Sequence, residues 1–119
     1  MRDANKLRIV AAAEALAVNT YRVTAHFPRD ERFGFTAQLR RAAVSIGSNI
    51  VEGCHRQGNT ALLPFLHHAL GSASEMHFQL GLVCRLGLFD GPELEAVRDE
   101  TDHVRRMLIR LIVTIRKRG

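Results

Sequence analysis

Apolar residues recur at helical spacing along four runs of the chain, and short clusters rich in Gly, Pro and Asn separate the runs. The first run predicts a helix from about Asp3 to His26. Its apolar positions are Leu7, Val10, Ala11, Leu16, Val18, Tyr21 and Val23, interrupted by Glu14. The segment HFPRDERFG ends it, because the residue before Pro28 is pushed out of the α region. A second helix is predicted from near Asp30 or Thr36 to about His55. RQGNT then reads as a turn, with Gly58 in it and Asn59 and Thr60 as capping candidates. The third helix continues to about Leu86, with Pro64 either delaying its start or leaving a kink. Gly87 is the expected C-cap, Asp90 is a candidate N-cap ahead of Pro92, and a fourth helix runs from about Pro92 to Lys117. Short connections between long helices make successive helices antiparallel neighbours. Residues 1–119 therefore read as one all-α domain, an antiparallel up-down four-helix bundle.

The second helix carries more than a core stripe. Phe35, Leu39, Ala42, Ala43, Ile46, Ile50 and Cys54 form the core face. Gln38, Arg41, Ser45, Asn49, Glu52 and Arg56 form a polar stripe beside it, in which Asn49 and Glu52 are expected to hold a helix–helix seam by hydrogen bonds. Glu52 and Arg56 are also spaced to pair across one turn. Val44 and Val51, with Gly47 adjacent, make a second apolar strip. In the third helix Leu62, Phe65, Ala69, Ala73, Met76, Leu80 and Val83 face the core, while Gly71, Phe78 and Leu82 point nearly the opposite way. In the fourth, Leu94, Val97, Val104, Leu108, Leu111 and Ile115 make the seam, and Ile109 and Val113 lie among arginines. Apolar strips beside small residues on three helices favour subunit contacts, so these eight outlying positions are the expected homo-oligomer interface.

Composition adds a sign to the surface. The 119 residues are 46% hydrophobic with a net charge of +5, which suits a packed domain with an anionic partner, RNA or DNA ahead of a membrane surface. From His103 onward there is no acidic residue, and Arg105, Arg106, Arg110, Arg116, Lys117 and Arg118 follow. Arg105, Arg106, Arg110 and Lys117 are expected to share one broad face; Lys6, Arg8, Arg22 and Arg40 add to the candidate nucleic-acid contacts from the first two helices. Guanidinium groups match phosphate by geometry and permanent charge. With six Phe and one Tyr, mostly in core positions, there is no stacking platform, so contacts would go to backbone and shape. Charge that serves only solubility, on an oligomeric scaffold, is the competing reading.

Little in the sequence supports catalysis. Adjacent His67 and His68 point in different directions on a helix and cannot chelate together, so no metal is expected. No phosphate-binding glycine loop or nucleophile–base pairing stands out, and no cofactor is implied. Arg98 and His103 match the loose R-x4-H spacing of HEPN-type ribonucleases, in which Arg stabilises phosphate and His moves protons; a chain rich in both residue types matches such a pattern easily. Cys54 and Cys84 form no CxxC and read as free thiols of a reducing cytoplasm. The N-terminal stretch continues as amphipathic helix without an evident cleavage site, and no apolar run reaches the ~18 residues of a membrane span.

FPRDERFGFTAQLRRAAVSIGSNIVEG followed by FLHHALGSASEMHFQL resembles the four-helix bundle family of the 23S ribosomal RNA intervening-sequence protein. The residues that carry the likeness are Phe27-Pro28, Glu31, Phe33-Gly34, Gln38-Leu39, Arg41-Ala42, Ser45-Ile46, Asn49-Ile50, Glu52-Gly53, Gly71-Ser72 and Glu75. Gly47 stands where that family commonly has Pro, and Val51 where Ala is common; Pro64 is also atypical. The resemblance implies a barrel-like homo-oligomer, a pentamer above other ring sizes. The family includes the accessory protein of diversity-generating retroelements, a basic pentamer that works with a reverse transcriptase and its RNA. A shared fold does not transfer that role by itself.

Overall fold

The computed structural model describes residues 3–118. It consists of α1 (Ala4–Thr24), a short 3₁₀ turn (Arg29–Glu31), α2 (Phe35–Cys54), α3 (Asn59–Leu86) and α4 (Pro92–Arg118). α1 packs against α2 and α4, and α3 packs against α2 and α4, so the helices occupy the corners of a square in chain order. The result is the predicted four-helix bundle, a rod of 45 × 20 × 19 Å.

The helix ends follow from local chemistry. Gly87 takes the left-handed conformation at φ 67°, and Leu88 N–H donates back to the Val83 carbonyl at 3.2 Å, as expected of a glycine C-cap. Gly58, at φ 85°, precedes α3 and takes the cap position; Asn59 is already helical, and neither it nor Thr60 caps by its side chain. The chain reverses there through a conformation that a side-chain-bearing residue adopts only with strain. Pro64 lies inside α3 without delaying its start. Its missing N–H withdraws one donor from the carbonyl four residues earlier, at exposed Thr60. Pro92 is the first residue of α4, and Leu94 N–H donates to the Gly91 carbonyl, so Gly91 rather than Asp90 stands at the cap.

The core corrects the reading of the first helix. Ile9, Ala13, Leu16, Thr20, Val23 and Thr24 are buried, while Leu7, Val18 and Tyr21 are exposed. Two threonines hold the buried stripe: Thr20 Oγ1 donates to Leu16 O and Thr24 Oγ1 to Thr20 O, both at 2.7 Å. These hydroxyls satisfy themselves on their own helix and so can sit in the core. In α2 the predicted core holds, with Phe35 and Cys54 at its half-buried edges and Gly53 fully buried. Leu66 and Ile112 take the core positions expected of Phe65 and Leu111, which lie half-buried at seam edges.

Candidate nucleic-acid interface and the helix grooves

Two of the predicted basic residues line one groove from opposite sides of a helix seam. A groove of about 490 Å³ between α1 and α4 is lined by Asn5, Arg8, Ile9, His103, Met107, Arg110, Leu111 and Thr114. Among the described residues no carboxylate lines it. Arg8 Nη2 donates to Asn5 Oδ1, one turn earlier on α1, so the two neighbouring lining residues are joined. Arg110 faces it from α4, with Lys117 two turns further along the same helix. His103, Asn5 and Thr114 add donors that suit phosphate oxygens.

The remaining cations are differently engaged. Arg105 donates to Asp102 Oδ1 at 3.0 Å and Arg106 to Asp102 Oδ2 at 2.9 Å, so one carboxylate serves both. The Arg105 hydrogen bond, and then the charge of Arg106, hold the Asp102 carboxyl below its usual range. Arg105 is half-buried, so it drops out of the expected face, while Arg106, 69% exposed, lies one turn before exposed Arg110 on the same side of α4. Arg116 stands 3.0 Å from His67 Nε2 on α3. Arg40 is a clamp between helices: its guanidinium lies 4.6 Å over the Tyr21 ring, and it donates to Thr24 Oγ1 at 2.9 Å and Tyr21 O at 3.3 Å. Arg22 lines a second α1–α4 groove near Glu93 and Glu100, among carboxylates. Lys6 lies near Cys54 at the α1–α2 seam, and Arg118 is exposed at the end of α4. The sequence showed the run of arginines, but not that Asp102 neutralises two of them or that Asn5, Met107 and Thr114 complete the groove around Arg8 and Arg110.

The polar stripe of α2 divides. Ser45 Oγ meets Ser72 Oγ of α3 at 3.1 Å, and Gln38 Oε1 accepts from Gln79 Nε2 at 2.9 Å. These two contacts cross the α2–α3 seam. Asn49 does not cross it: its Nδ2 donates to Ser45 O at 2.8 Å and Ser45 Oγ at 3.1 Å, within α2. Glu52 pairs with Arg56 at 3.0 Å on the exposed side, and Arg56 also lies over the Phe65 ring at 5.1 Å. The seam role expected of Asn49 and Glu52 thus belongs to Ser45 and Gln38, because those side chains point at α3. Gln38, Arg41, Ser45, Ser72 and Glu75 line one stretch of this seam. Glu31, Gly34, Phe35, Phe78, Gln79 and Leu82 continue it, with Gln38 and Glu75, into a slot of about 410 Å³.

An apolar groove of about 480 Å³ lies on a third side, between α1 and α2. Val44, Gly47 and Val51 of the predicted interface form one wall, and Val10 and Ala17 of α1 form the other. A Cβ on Gly47 would find only Ala13 Cβ, at an ordinary 3.7 Å, and one on Gly71 would meet nothing within 4 Å. Packing inside the chain requires neither glycine. Phe78 is exposed and Leu82 half-buried at the α2–α3 slot; Ile109 and Val113 are exposed on α4, which does not pack against α2. The eight positions therefore form separate patches.

Arg98 and His103 do not converge. Arg98 packs on the α3 side of α4, where its Nη2 would stand 3.1 Å from a Cβ on Gly81; His103 faces α1. Among the described residues no group of three or more His, Cys, Asp and Glu side chains is placed to hold a metal, and no helix is long and apolar enough to cross a membrane. Burial pushes both thiols up, and Cys84 Sγ donates to Glu95 Oε1 at 3.3 Å.

Comparison with known proteins agrees with this architecture. The model of the 23S rRNA-intervening sequence protein family matches residues 5–110. A crystal structure of a protein with unknown function from the S23 ribosomal protein family, from Bacteroides thetaiotaomicron, superposes with a TM-score of 0.82 at 22% identity, covering 91% of this chain and 97% of that one. A search of curated proteins returns no match.

Proposed function

The chain belongs to the 23S rRNA-intervening sequence protein family, and we propose on that footing that it is a non-enzymatic, homo-oligomeric bundle that binds nucleic acid, or a nucleoprotein partner, through its basic α1–α4 side. One observation carries the reading: Arg8 and Arg110 face a common groove that no carboxylate of the described residues lines. That pair, with exposed Arg106 and Lys117 nearby on α4, supplies the electrostatic footprint of a phosphate-backbone reader. Phe33, Phe78 and Tyr21 are exposed, contrary to the core placement expected of the aromatics, but no Phe or Tyr among the described residues lines the Arg8–Arg110 groove, which favours structured RNA or DNA read by backbone and shape.

Assembly strengthens each contact. The apolar α1–α2 groove and the Ile109–Val113 strip are distinct patches, which suits a heterologous, head-to-tail interface closing into a ring such as a pentamer. A ring repeats the Arg8–Arg110 groove and turns weak contacts into avidity. Partnership with a reverse transcriptase and its RNA, as an accessory protein, is the specific version of this reading.

Gel-shift titration of structured RNA and duplex DNA across a salt series, run beside an RNA cleavage assay, tests it. The expected result is binding with weak sequence preference and steep salt dependence, without cleavage. Failure to bind at low salt favours a scaffold whose charge serves solubility. Cleavage that disappears in His103→Ala would establish a ribonuclease.

A further inference from the structure

The α1–α4 groove holds more than its two arginines. Arg8, Arg110 and His103 make no ion pair among the described residues. The carboxylates nearest them in sequence are engaged elsewhere. Asp3 Oδ1 accepts from Asn5 N–H at 2.8 Å as the α1 cap, and Asp102 serves Arg105 and Arg106. Beneath the polar side chains lies an apolar floor. Ile9 is buried, and half-buried Met107 and Leu111 pack on the core while lining the groove.

Helix register sets the order of these groups. Asn19 Nδ2 donates to Glu100 Oε1 at 3.1 Å across the same pair of helices. α1 and α4 run antiparallel, so equal steps from that contact put Arg8 level with Leu111, beside Arg110. Two guanidinium-bearing residues therefore stand at one level of the groove. Met107 follows one turn further in and His103 a second turn, about 10 Å from Arg110 along the axis. Cations, an apolar face and an imidazole come in line.

That order selects among anions. A bare phosphate would meet the arginines and leave the floor against water. An acyl chain with a charged head would cover the floor, but it would leave the His103 ring nitrogens without partners. A duplex backbone lies along a surface and offers the floor no apolar face. A single nucleotide meets all three groups in sequence. Its phosphate suits paired guanidinium groups, and the flat face of its base suits a polarisable thioether. The edge of the base carries donors and acceptors for an imidazole. The groove, at about 490 Å³, is the size of a small-molecule site rather than of a duplex.

We propose that the α1–α4 groove seats one 5′-nucleotide, with its phosphate between Arg8 and Arg110, its base on Met107 and the base edge at His103. The nucleotide is either free or the phosphorylated 5′ end of a strand. This seat presupposes the anion-binding role proposed for the groove above, and adds a base to the phosphate.

Calorimetric titration of the full chain with AMP, ribose 5-phosphate and adenosine tests the seat. AMP should bind saturably and about tenfold more tightly than either fragment, because each fragment lacks one of the two contacts. Arg8→Gln should weaken AMP by about tenfold or more. Met107→Gln should weaken AMP by about threefold to tenfold and leave ribose 5-phosphate unchanged, a split that a loosened fold would not produce. Circular dichroism verifies each fold, and His103→Ala, at an exposed position, repeats the split if Met107→Gln disturbs the core. Competition separates the two sources, and either result supports the seat. If AMP displaces a duplex with a 5′-phosphorylated overhang but not closed circular DNA, the groove takes strand ends. If AMP binds and 5′ phosphorylation of the duplex makes no difference, it takes the free nucleotide. Salt-sensitive duplex binding without saturable AMP binding overturns the seat and leaves the backbone reading standing. Absence of binding by AMP and duplex alike overturns both. AMP that binds no better than ribose 5-phosphate, or that the Met107 and His103 variants leave unchanged, also overturns the seat.

Discussion

A Cβ on Gly53 would stand 2.7 Å from Phe65 Cβ, closer than two side chains approach, and equally close to Leu62 Cδ1. Gly53 is the place where α2 and α3 come together just before the Gly58 turn. Phe65 Cβ is fixed to its helix backbone and cannot rotate away. Gly53→Ala should therefore destabilise the fold by about 1–3 kcal/mol through overpacking, despite alanine's higher helix propensity. Gly47→Ala is the control: its Cβ meets Ala13 at 3.7 Å, so the propensity gain of about 0.5–1 kcal/mol should appear. Urea denaturation of the two variants compares them directly.

That contrast also marks what the sequence made legible. Gly47 and Gly53 both lie inside α2, and nothing in the order of residues distinguishes Gly53, needed inside the chain, from Gly47, which is not. Three of the four core faces could be read because Leu, Ile and Val outline them. α1 could not: its alanines flatten the periodicity, and two core positions are threonines that bond to their own helix. The basic candidates were legible as residue types. Their engagement was not, because helical phase cannot show that Arg40 reaches over to Tyr21 or that Arg116 stands beside His67.

Ser45 and Ser72 should be energetically coupled. Their hydroxyls join two helices at 3.1 Å, and Asn49 Nδ2 donates to Ser45 Oγ from behind. A double-mutant cycle with alanine at both serines should return about 0.5–1.5 kcal/mol of coupling. Asn49→Ala should reduce that coupling by freeing Ser45 to rotate. Additive serine substitutions would show that the contact contributes nothing.

Asp102 connects acid stability to binding. Its folded carboxyl is held below its unfolded pKa, chiefly by the Arg105 hydrogen bond and further by Arg106, against an opposing desolvation. The contribution is therefore fully present above the ordinary carboxylate range and is lost as pH falls through the lowered folded value. Asp102→Asn should flatten that part of the acid-unfolding profile while changing neutral stability little. It also releases two guanidinium groups from a neutralising partner, so nucleic-acid affinity and the steepness of its salt dependence should both rise. A profile or affinity unmoved by the substitution would mean that these pairs carry no weight in solution.

Arg8 and Arg110 should account for much of the salt dependence if the α1–α4 groove holds phosphate. Each phosphate contact contributes about 0.7–0.9 to the slope of log K against log salt. The pair Arg8→Gln and Arg110→Gln should thus lower the slope by about 1.4–1.8 per occupied groove, uniformly across sequences. Arg40→Gln makes a different prediction. Its guanidinium spans α1 and α2, so it should lower thermal stability more than it changes the slope.

A head-to-tail interface has a signature that a two-fold dimer lacks. If the α1–α2 groove of one copy receives the Ile109–Val113 strip of the next, Val51→Asp and Val113→Asp each place a charge in a desolvated contact, and each should leave a folded monomer. The two variants damage different halves of the interface. The Val51→Asp chain retains a sound strip, and the Val113→Asp chain retains a sound groove. Mixed together they can form one undamaged contact and no second, so they should give a heterodimer that cannot grow into a ring. Two-fold pairing through either patch alone would not be restored by mixing. Light scattering on the separate and mixed variants distinguishes the cases. Groove-filling Gly47→Leu should behave like Val51→Asp without adding charge, since the space above Gly47 is open within the chain. Assembly that survives all three substitutions would place the subunit contact elsewhere, with exposed Phe78 at the α2–α3 slot the next patch to alter.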